Sequence, residues 1–373
     1  MALKKNILIV RLSAMGDVAI SAPLVRAYAS ANPECNFYMV SQPRFEAMFS
    51  YPSQRCAPCE GSACAASAGA AEQIPNLYYI PLSTKRGGSD YCGSWGQLIK
   101  FARTVKKQYD ITHFADIHDV IRTKVLRAVL RLSGVKVACI NKHRREREEL
   151  CRQSNKKLVQ IIKSQRCMEE VFVKIGFTDL HFTESAPMQN AASKKNTPTS
   201  KQEAIKIGIA PFAGHKGKEW PAEKMEEVVK HFGSESSKGR YKVFLYGGGK
   251  REIEIMQPWA QRYPHAELFA GKHTLYQELE SMAGLDVMVS MDSANMHLAS
   301  LVGTPVVCIW GATHRFAGYN GWGQKEDNAV EVDLLCRPCS VFGAKPCQRG
   351  DYACLHRISP QMVIDKIFTA VKQ

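Results

Sequence analysis

Residues 11–21 read RLSAMGDVAIS and place a carboxylate, Asp17, directly after a glycine. The stretch follows the apolar run Ile7-Leu8-Ile9-Val10, so Asp17 stands where a buried strand turns into a helix. An aspartate at that position caps the helix or serves as a general base. Its reference pKa of about 3.9 leaves it ionised at neutral pH, as a base requires. A base must point away from the turn, which then falls to Ser13 or to backbone groups. Gly16, lacking a Cβ, lets a ligand approach the turn closely.

A second group of chemistry-bearing residues lies in the C-terminal half. Val289–Gly311 reads VSMDSANMHLASLVGTPVVCIWG. A strand ends near Ser290, and Asp292-Ser293 begins a helix with residue types favoured at the N-cap. His297 follows Ser293 by one turn and shares its face. Upstream, APFAGHKGKEWP at Ala210–Pro221 carries Lys218 on a glycine-bearing loop at a strand's C-terminal edge, a setting that suits a phosphate. LYGGGKREIE at Leu245–Glu254 ends a strand in Gly247, Gly248 and Gly249, where backbone is open to a ligand. Glu252, just beyond, can accept a ribose hydroxyl by analogy with the acid of dinucleotide-binding folds. This is neither G-x-G-x-x-G nor a P-loop. Each piece alone also reads as a helix cap, a solvated basic loop or a satisfied core histidine.

The elements that must hold these residues alternate. Strands are expected at Asn6–Val10, Asn36–Val40, Leu77–Ile80 and Asp110–Ile117, and helices at Val18–Ser30 (with Pro23 near the first turn), Trp95–Lys107 and Arg122–Leu132. Met188–Glu203 is polar and aperiodic and reads as a linker. The alternation then restarts, with strands at Ile205–Ala210, Tyr241–Tyr246, Val287–Ser290 and Pro305–Trp310. Helices fall at Ala222–Phe232, Thr274–Ala283, Ser293–Leu301 and Pro360–Val371. The pattern predicts an α/β protein of two domains, 1–187 and 204–373, with mostly parallel sheets and ligands at the strands' C-terminal edges. A cleft between the domains is the expected site. Residues 52–73 are low in complexity and read as a surface loop; Cys56, Cys59 and Cys64 have a spacing that can bind metal, but their Ala/Gly/Ser setting favours incidental thiols.

The order GDV, KEWP, GGG and DSxxxHLxxxxGTPVVxxxG resembles glycosyltransferase family 9, the heptosyltransferases, over essentially the whole chain. The resemblance implies the GT-B architecture, two Rossmann-like domains facing across a cleft, with helix 360–371 packing back on the N-terminal domain. It implies inverting transfer of heptose from ADP-heptose, held on the C-terminal domain, to a lipopolysaccharide inner-core acceptor on the N-terminal one. No metal or other cofactor is required, and the chain carries no DxD metal motif of the other glycosyltransferase class. Asp17 matches the family's proposed base. Lys218 matches the lysine that contacts the donor diphosphate, and Asp292, Ser293 and His297 match positions near the donor. Glu252, with Gly247 and Gly248, matches the ribose-binding turn. A leaving ADP calls for charge stabilisation more than for an acid, which a lysine and helix N-terminal N–H groups can supply.

Arg122–Arg147 contains nine Lys or Arg and one Glu, ending in the run NKHRRER. With Ser13, Asp119 and Arg122 at strand ends and Arg144 and Arg145 in the basic run, this is the expected acceptor surface. The 373-residue chain has a net charge of +15, which suits an anionic partner. Membrane surface and nucleic acid both qualify, but no aromatic RNA-binding pattern is present and nucleic acid is not the expected partner. No apolar run approaches the roughly 18–20 residues of a membrane span, and no signal peptide is read. A cytoplasmic enzyme, peripheral on the inner membrane's cytoplasmic face, is the expectation. Of thirteen cysteines, Cys336, Cys339, Cys347 and Cys354 form a compact set that reads as a structural zinc site, reduced thiols or disulfides. Rival readings are a family relative moving another sugar to a cell-surface glycan, a nucleotide-sugar epimerase, and a nucleotide- or nucleic-acid-binding protein without transfer activity.

Overall fold

The computed structural model describes residues 5–51, 74–83, 92–181, 204–234 and 239–372. The expected loop at 52–73, with Cys56, Cys59 and Cys64, and the expected linker at 188–203 lie outside the described residues. In chain order the first elements are β1 (Asn6–Val10), α1 (Met15–Ala31), β2 (Asn36–Ser41), α2 (Ala47–Ser50), β3 (Leu77–Pro81), α3 (Trp95–Gln108), β4 (His113–Asp116), α4 (Ile121–Leu132), β5 (Lys136–Cys139), α5 (Arg144–Leu150) and α6 (Ser164–Lys174). There follow β6 (Ile205–Ala210), α7 (Ala222–His231), β7 (Tyr241–Leu245), α8 (Lys250–Arg262), β8 (Ala266–Leu268), α9 (Leu275–Ala283), β9 (Val287–Met291), α10 (Ala294–Leu301), β10 (Val306–Ile309), β11 (Ala329–Val330), α11 (Ala353–His356) and α12 (Pro360–Val371).

Two compact units result. One comprises Met1–Lys142 with Lys163–Ser185, the other His143–Ile162 with Ala186–Gln373. The first unit is therefore not one uninterrupted run to residue 187, because His143–Ile162 packs with the second. Several contacts tie the segment there, among them the Ile161 N–H to the Phe316 carbonyl and one buried side chain. Arg147 is 2% exposed, donates to the carbonyls of Ile162 and Ala317, and stacks its guanidinium 4.7 Å from the Tyr319 ring centre.

The first unit holds a five-stranded sheet ordered β3-β2-β1-β4-β5, the second a six-stranded sheet ordered β11-β10-β9-β6-β7-β8. Every pairing is parallel. Central strands covered by helices on both faces are apolar throughout. Ile7, Leu8, Ile9 and Val10 are all 0% exposed, as a doubly wound sheet demands. In each sheet the strand order reverses next to the first strand of the unit, between β1 and β4 and between β6 and β9. Ligands of such sheets bind at that reversal, beyond the carboxyl ends of the strands.

One helix differs from expectation. α1 begins at Met15, so Pro23 lies inside the helix rather than near its first turn. The C-terminal helix α12 buries Val363, Ile364, Ile367 and Ala370 in the second unit's core.

Candidate active site

At the reversal of the first sheet, Val10 is in register with Asp116. Arg11 continues β1. Its Nη2 lies 2.6 Å from Asp17 Oδ2, and its Nη1 donates to the Ile117 carbonyl at 2.6 Å. The arginine side chain is 6% exposed and the aspartate 30%, so a buried cation anchors a carboxylate that reaches solvent. Asp17 Oδ2 also accepts, at a long 3.4 Å, from the Ala14 N–H. Asp17 thus leans back on its own helix start, but its short contact is to Arg11.

Ser13 does not close the turn. Ala14 is the N-cap and has no capping side chain of its own; the Asp17 carboxylate is the group that reaches back to its N–H. Ser13 Oγ instead lies 3.4 Å from His118 Nε2, while His118 Nδ1 accepts from the Leu12 N–H at 3.3 Å. The second contact puts the ring proton on Nε2, facing the serine oxygen. Burial first, then Arg11 and Lys142, push the His118 pKa down to about 3. The imidazole is neutral at physiological pH.

Asp116 is fully buried at the end of β4. Its Oδ1 accepts from the His118 and Asp119 N–H groups and its Oδ2 meets Arg127 at 3.0 Å. Burial raises its pKa, against these bonds and Arg127. Asp119 takes a left-handed backbone (φ 47°) and sits 3.5 Å from Arg127. Among the described residues, only Asp116, Asp119 and Cys139 gather three ligand atoms within 4.8 Å of one another, and the Arg127 guanidinium already bridges the two carboxylates. Arg122 is exposed on the first turn of α4, and Arg144 and Arg145 are exposed on α5. Since α5 belongs to the second unit, the expected acceptor residues are divided: Ser13, Asp119 and Arg122 on one unit, Arg144 and Arg145 on the other.

At the reversal of the second sheet, Lys218 Nζ stands 2.8 Å from Asp292 Oδ2, the two side chains 15% and 7% exposed. Lys218 comes from the loop after β6 and Asp292 follows β9, the strand hydrogen-bonded to β6. Ser293 is the N-cap of α10 but makes no side-chain cap; its Oγ meets Ser290 Oγ at 3.2 Å. His297 is buried one turn on. Trp220 of the KEWP run is an anchor, 1% exposed, with its indole N–H donating to the Ile358 carbonyl.

The glycine turn after β7 closes on itself. Glu252 Oε2 accepts from the Gly248 N–H at 2.7 Å. A Cβ at Gly247 would come within 2.7 Å of that same oxygen, and Gly249 takes φ 104°. Gly249 is therefore required by the turn's backbone, while a Cβ at Gly247 would press on the end of the Glu252 side chain. Burial raises the Glu252 pKa, partly offset by the Gly248 bond.

Cys336, Cys339, Cys347 and Cys354 stand as free thiols and do not gather three sulfurs as a metal site would. Burial raises the pKa of Cys339 and pushes Cys354 up to about 11. Sequence reasoning passed over Arg11, His118 and Arg127. Arg11 and His118 were legible only as the first residues beyond two strands that prove to be neighbours.

A family model of glycosyltransferase family 9 (heptosyltransferase) matches residues 100–344. A lipooligosaccharide heptosyltransferase 2 of Campylobacter jejuni serotype O:6 is 26% identical over 200 residues, covering 52% of this chain and 58% of that protein. The chain therefore spans less than two thirds of that relative. The crystal structure of a family 9 glycosyltransferase from Veillonella parvula covers 100% of this chain and 99% of its own, at 18% identity and a TM-score of 0.67. E. coli heptosyltransferase WaaC with ADP covers 98% and 99%, at 16% identity and a TM-score of 0.63. At these identities the structural likeness is one of fold. The family match takes in well over half of the chain, so the protein belongs to glycosyltransferase family 9 and its two parallel-sheet units have the GT-B fold.

Proposed function

We propose that this protein is an inverting, metal-independent heptosyltransferase that moves heptose from ADP-heptose to the inner core of lipopolysaccharide. The observation that carries the reading is the Lys218–Asp292 pair at the strand-order reversal of the second sheet. A half-buried ammonium held beside a strand edge can turn from its carboxylate to a diphosphate. With the N–H groups that open α10, it stabilises the charge of departing ADP. Ser293, His297, Gly247, Gly248 and Glu252 belong to the same donor-binding edge.

Asp17 is the base. It takes the proton from the acceptor hydroxyl as that oxygen bonds to the anomeric carbon, while the bond from that carbon to ADP breaks on the opposite face. Arg11 fixes one carboxylate oxygen and so orients the other. The neutral His118 orients Ser13 toward the acceptor, and Asp119 and Arg122 line the approach. The reading is supported by the family membership and by the Campylobacter relative's heptosyltransferase activity. A solved E. coli WaaC complex with ADP-2-deoxy-2-fluoro heptose, whose fold this chain shares, supports the donor. The enzyme works on the cytoplasmic face of the inner membrane, held peripherally by its basic surface. No helix among the described residues is long and apolar enough to cross a membrane.

The test is ADP release from ADP-heptose with a Kdo–lipid A acceptor. Turnover requiring both substrates is expected. Turnover only with another nucleotide sugar would reassign the donor, and donor consumption without acceptor would make the protein an epimerase.

A further inference from the structure

The Lys218 stem rests on a backbone that the donor reading does not use. Gly343 takes φ 74°, and a Cβ there would stand 2.6 Å from Lys218 Cγ and 3.3 Å from its Cδ and Cε. The aliphatic stem of Lys218 therefore lies flat along Gly343. The neighbouring Gly217 is equally tight, since its Cβ would meet the Gly343 carbonyl at 2.8 Å.

The loop bearing Gly343 is fixed from several sides. Cys339 N–H donates to the Ala312 carbonyl, and Ala312 N–H donates to the Gly217 carbonyl at 2.7 Å. Arg337, 5% exposed, donates to the carbonyls of Gly311, Thr313 and Val332 and pairs with Glu331 at 3.0 Å. From the 143–162 segment, Lys156 Nζ donates to the carbonyls of Cys336 and Pro338 at 2.8 and 2.7 Å. Phe342 packs 5.7 Å from Tyr319, the ring that Arg147 covers.

We infer that Gly343 is a positioning residue: its loop forms a wall that aims Lys218 at the donor diphosphate, and the 143–162 segment holds the wall in place. The inference rests on the donor role proposed for Lys218. A wall of this kind lowers the ordering cost of a flexible lysine before the ligand arrives. A side chain at position 343 displaces the lysine stem and turns the ammonium away from the phosphate.

Two measurements separate this inference from the donor reading. In ligand-free protein, reductive methylation of Lys218 is followed by peptide mass spectrometry with the exposed Lys250 as internal standard. The Gly343→Ala variant is expected to methylate Lys218 several-fold faster than the parent, and an unchanged rate overturns the wall whatever the ligand proves to be. Calorimetry with ADP then compares the parent, G343A, K218A and the double variant. G343A is expected to weaken ADP at least about tenfold, the scale of a charge-assisted hydrogen bond. In the K218A background it should weaken ADP no further. A full additional loss there means that Gly343 does not act through Lys218. If methylation responds but the parent protein does not bind ADP, the wall stands and the donor reading falls. Because Ala at φ 74° adds backbone strain, Gly343→Asn is the second variant, as Asn tolerates the left-handed region and still carries the intruding Cβ. Matching effects in both, with thermal midpoints near the parent's, exclude misfolding.

Discussion

Arg11 and Asp17 form the most informative pair at the residue scale. Their 2.6 Å contact joins a buried cation to a carboxylate that is 30% exposed, so the charge on Asp17 is balanced by a fixed guanidinium. For Asp17→Ala we expect turnover to fall by about 10²–10⁴-fold, the usual worth of a general base, with ADP affinity nearly intact by calorimetry. Arg11→Lys should fall between. A lysine can meet either Asp17 or the Ile117 carbonyl but cannot span both as the guanidinium fork does. Wild-type turnover by Asp17→Ala removes the base from the mechanism. His118 yields a stability prediction. Its folded pKa of about 3 lies below the ordinary 6.5, so between those values the unfolded chain binds a proton that the folded one does not. Stability is then full above about pH 6.5 and declines as pH drops toward 3. In His118→Asn, which keeps an acceptor for the Leu12 N–H, the fall in thermal midpoint from pH 7 to pH 5 should be visibly shallower. An identical slope would show that the proton is taken up elsewhere, for instance at His113 or His314, whose pKa values are also lowered.

Among the elements, the helix Arg144–Leu150 is where sequence and structure part most clearly. The run NKHRRER reads as part of the first domain's basic acceptor surface, and Arg144 and Arg145 do face solvent. Yet Arg147, in the middle of the run, is buried. Three arginines in four residues look alike in a sequence, and only the carbonyls of Ile162, 15 residues away, and Ala317, 170 residues away, distinguish the third. Arg147→Ala strands those carbonyls, at a cost of about 1–3 kcal/mol each. Hydrogen exchange across 143–162 should accelerate in that variant while the strands of the second sheet keep their protection. Uniformly faster exchange would mean that the segment is not a separate cooperative piece. Long apolar runs such as β1 and β9 were legible because a strand buried on both faces has no polar alternation to obscure it. The short β5 and β8 went unread, as did α8, whose KREIEIMQPWAQR carries Pro258 within it. Of the site, the DSxxxH block and KEWP were legible as motifs. The Lys218–Asp292 contact was not, because it joins the ends of two strands 80 residues apart in sequence register.

Across the whole molecule the two units use one plan, a parallel sheet with the proposed site residues at the strand-order reversal. The units nonetheless differ in what they place there, a carboxylate backed by arginine in one and a lysine backed by aspartate in the other. The +15 charge belongs to this scale as well. Sedimentation with vesicles containing anionic lipid should capture the protein at low salt and release it as ionic strength rises and screening shortens to about 8 Å near 0.15 M. Equal capture by neutral vesicles would mean that charge is not what holds it. The divided first unit also sets an order of events during synthesis. The chain passes to the second unit at His143 and returns at Lys163 before most of that unit has been made. Arg147 must wait for Ala317, 170 residues later, which at about 5–20 residues per second amounts to roughly 10–35 s on the ribosome. For that interval Arg147 lacks the Ala317 carbonyl it holds in the finished fold. The wall behind Lys218 is thus assembled late, from a piece translated early.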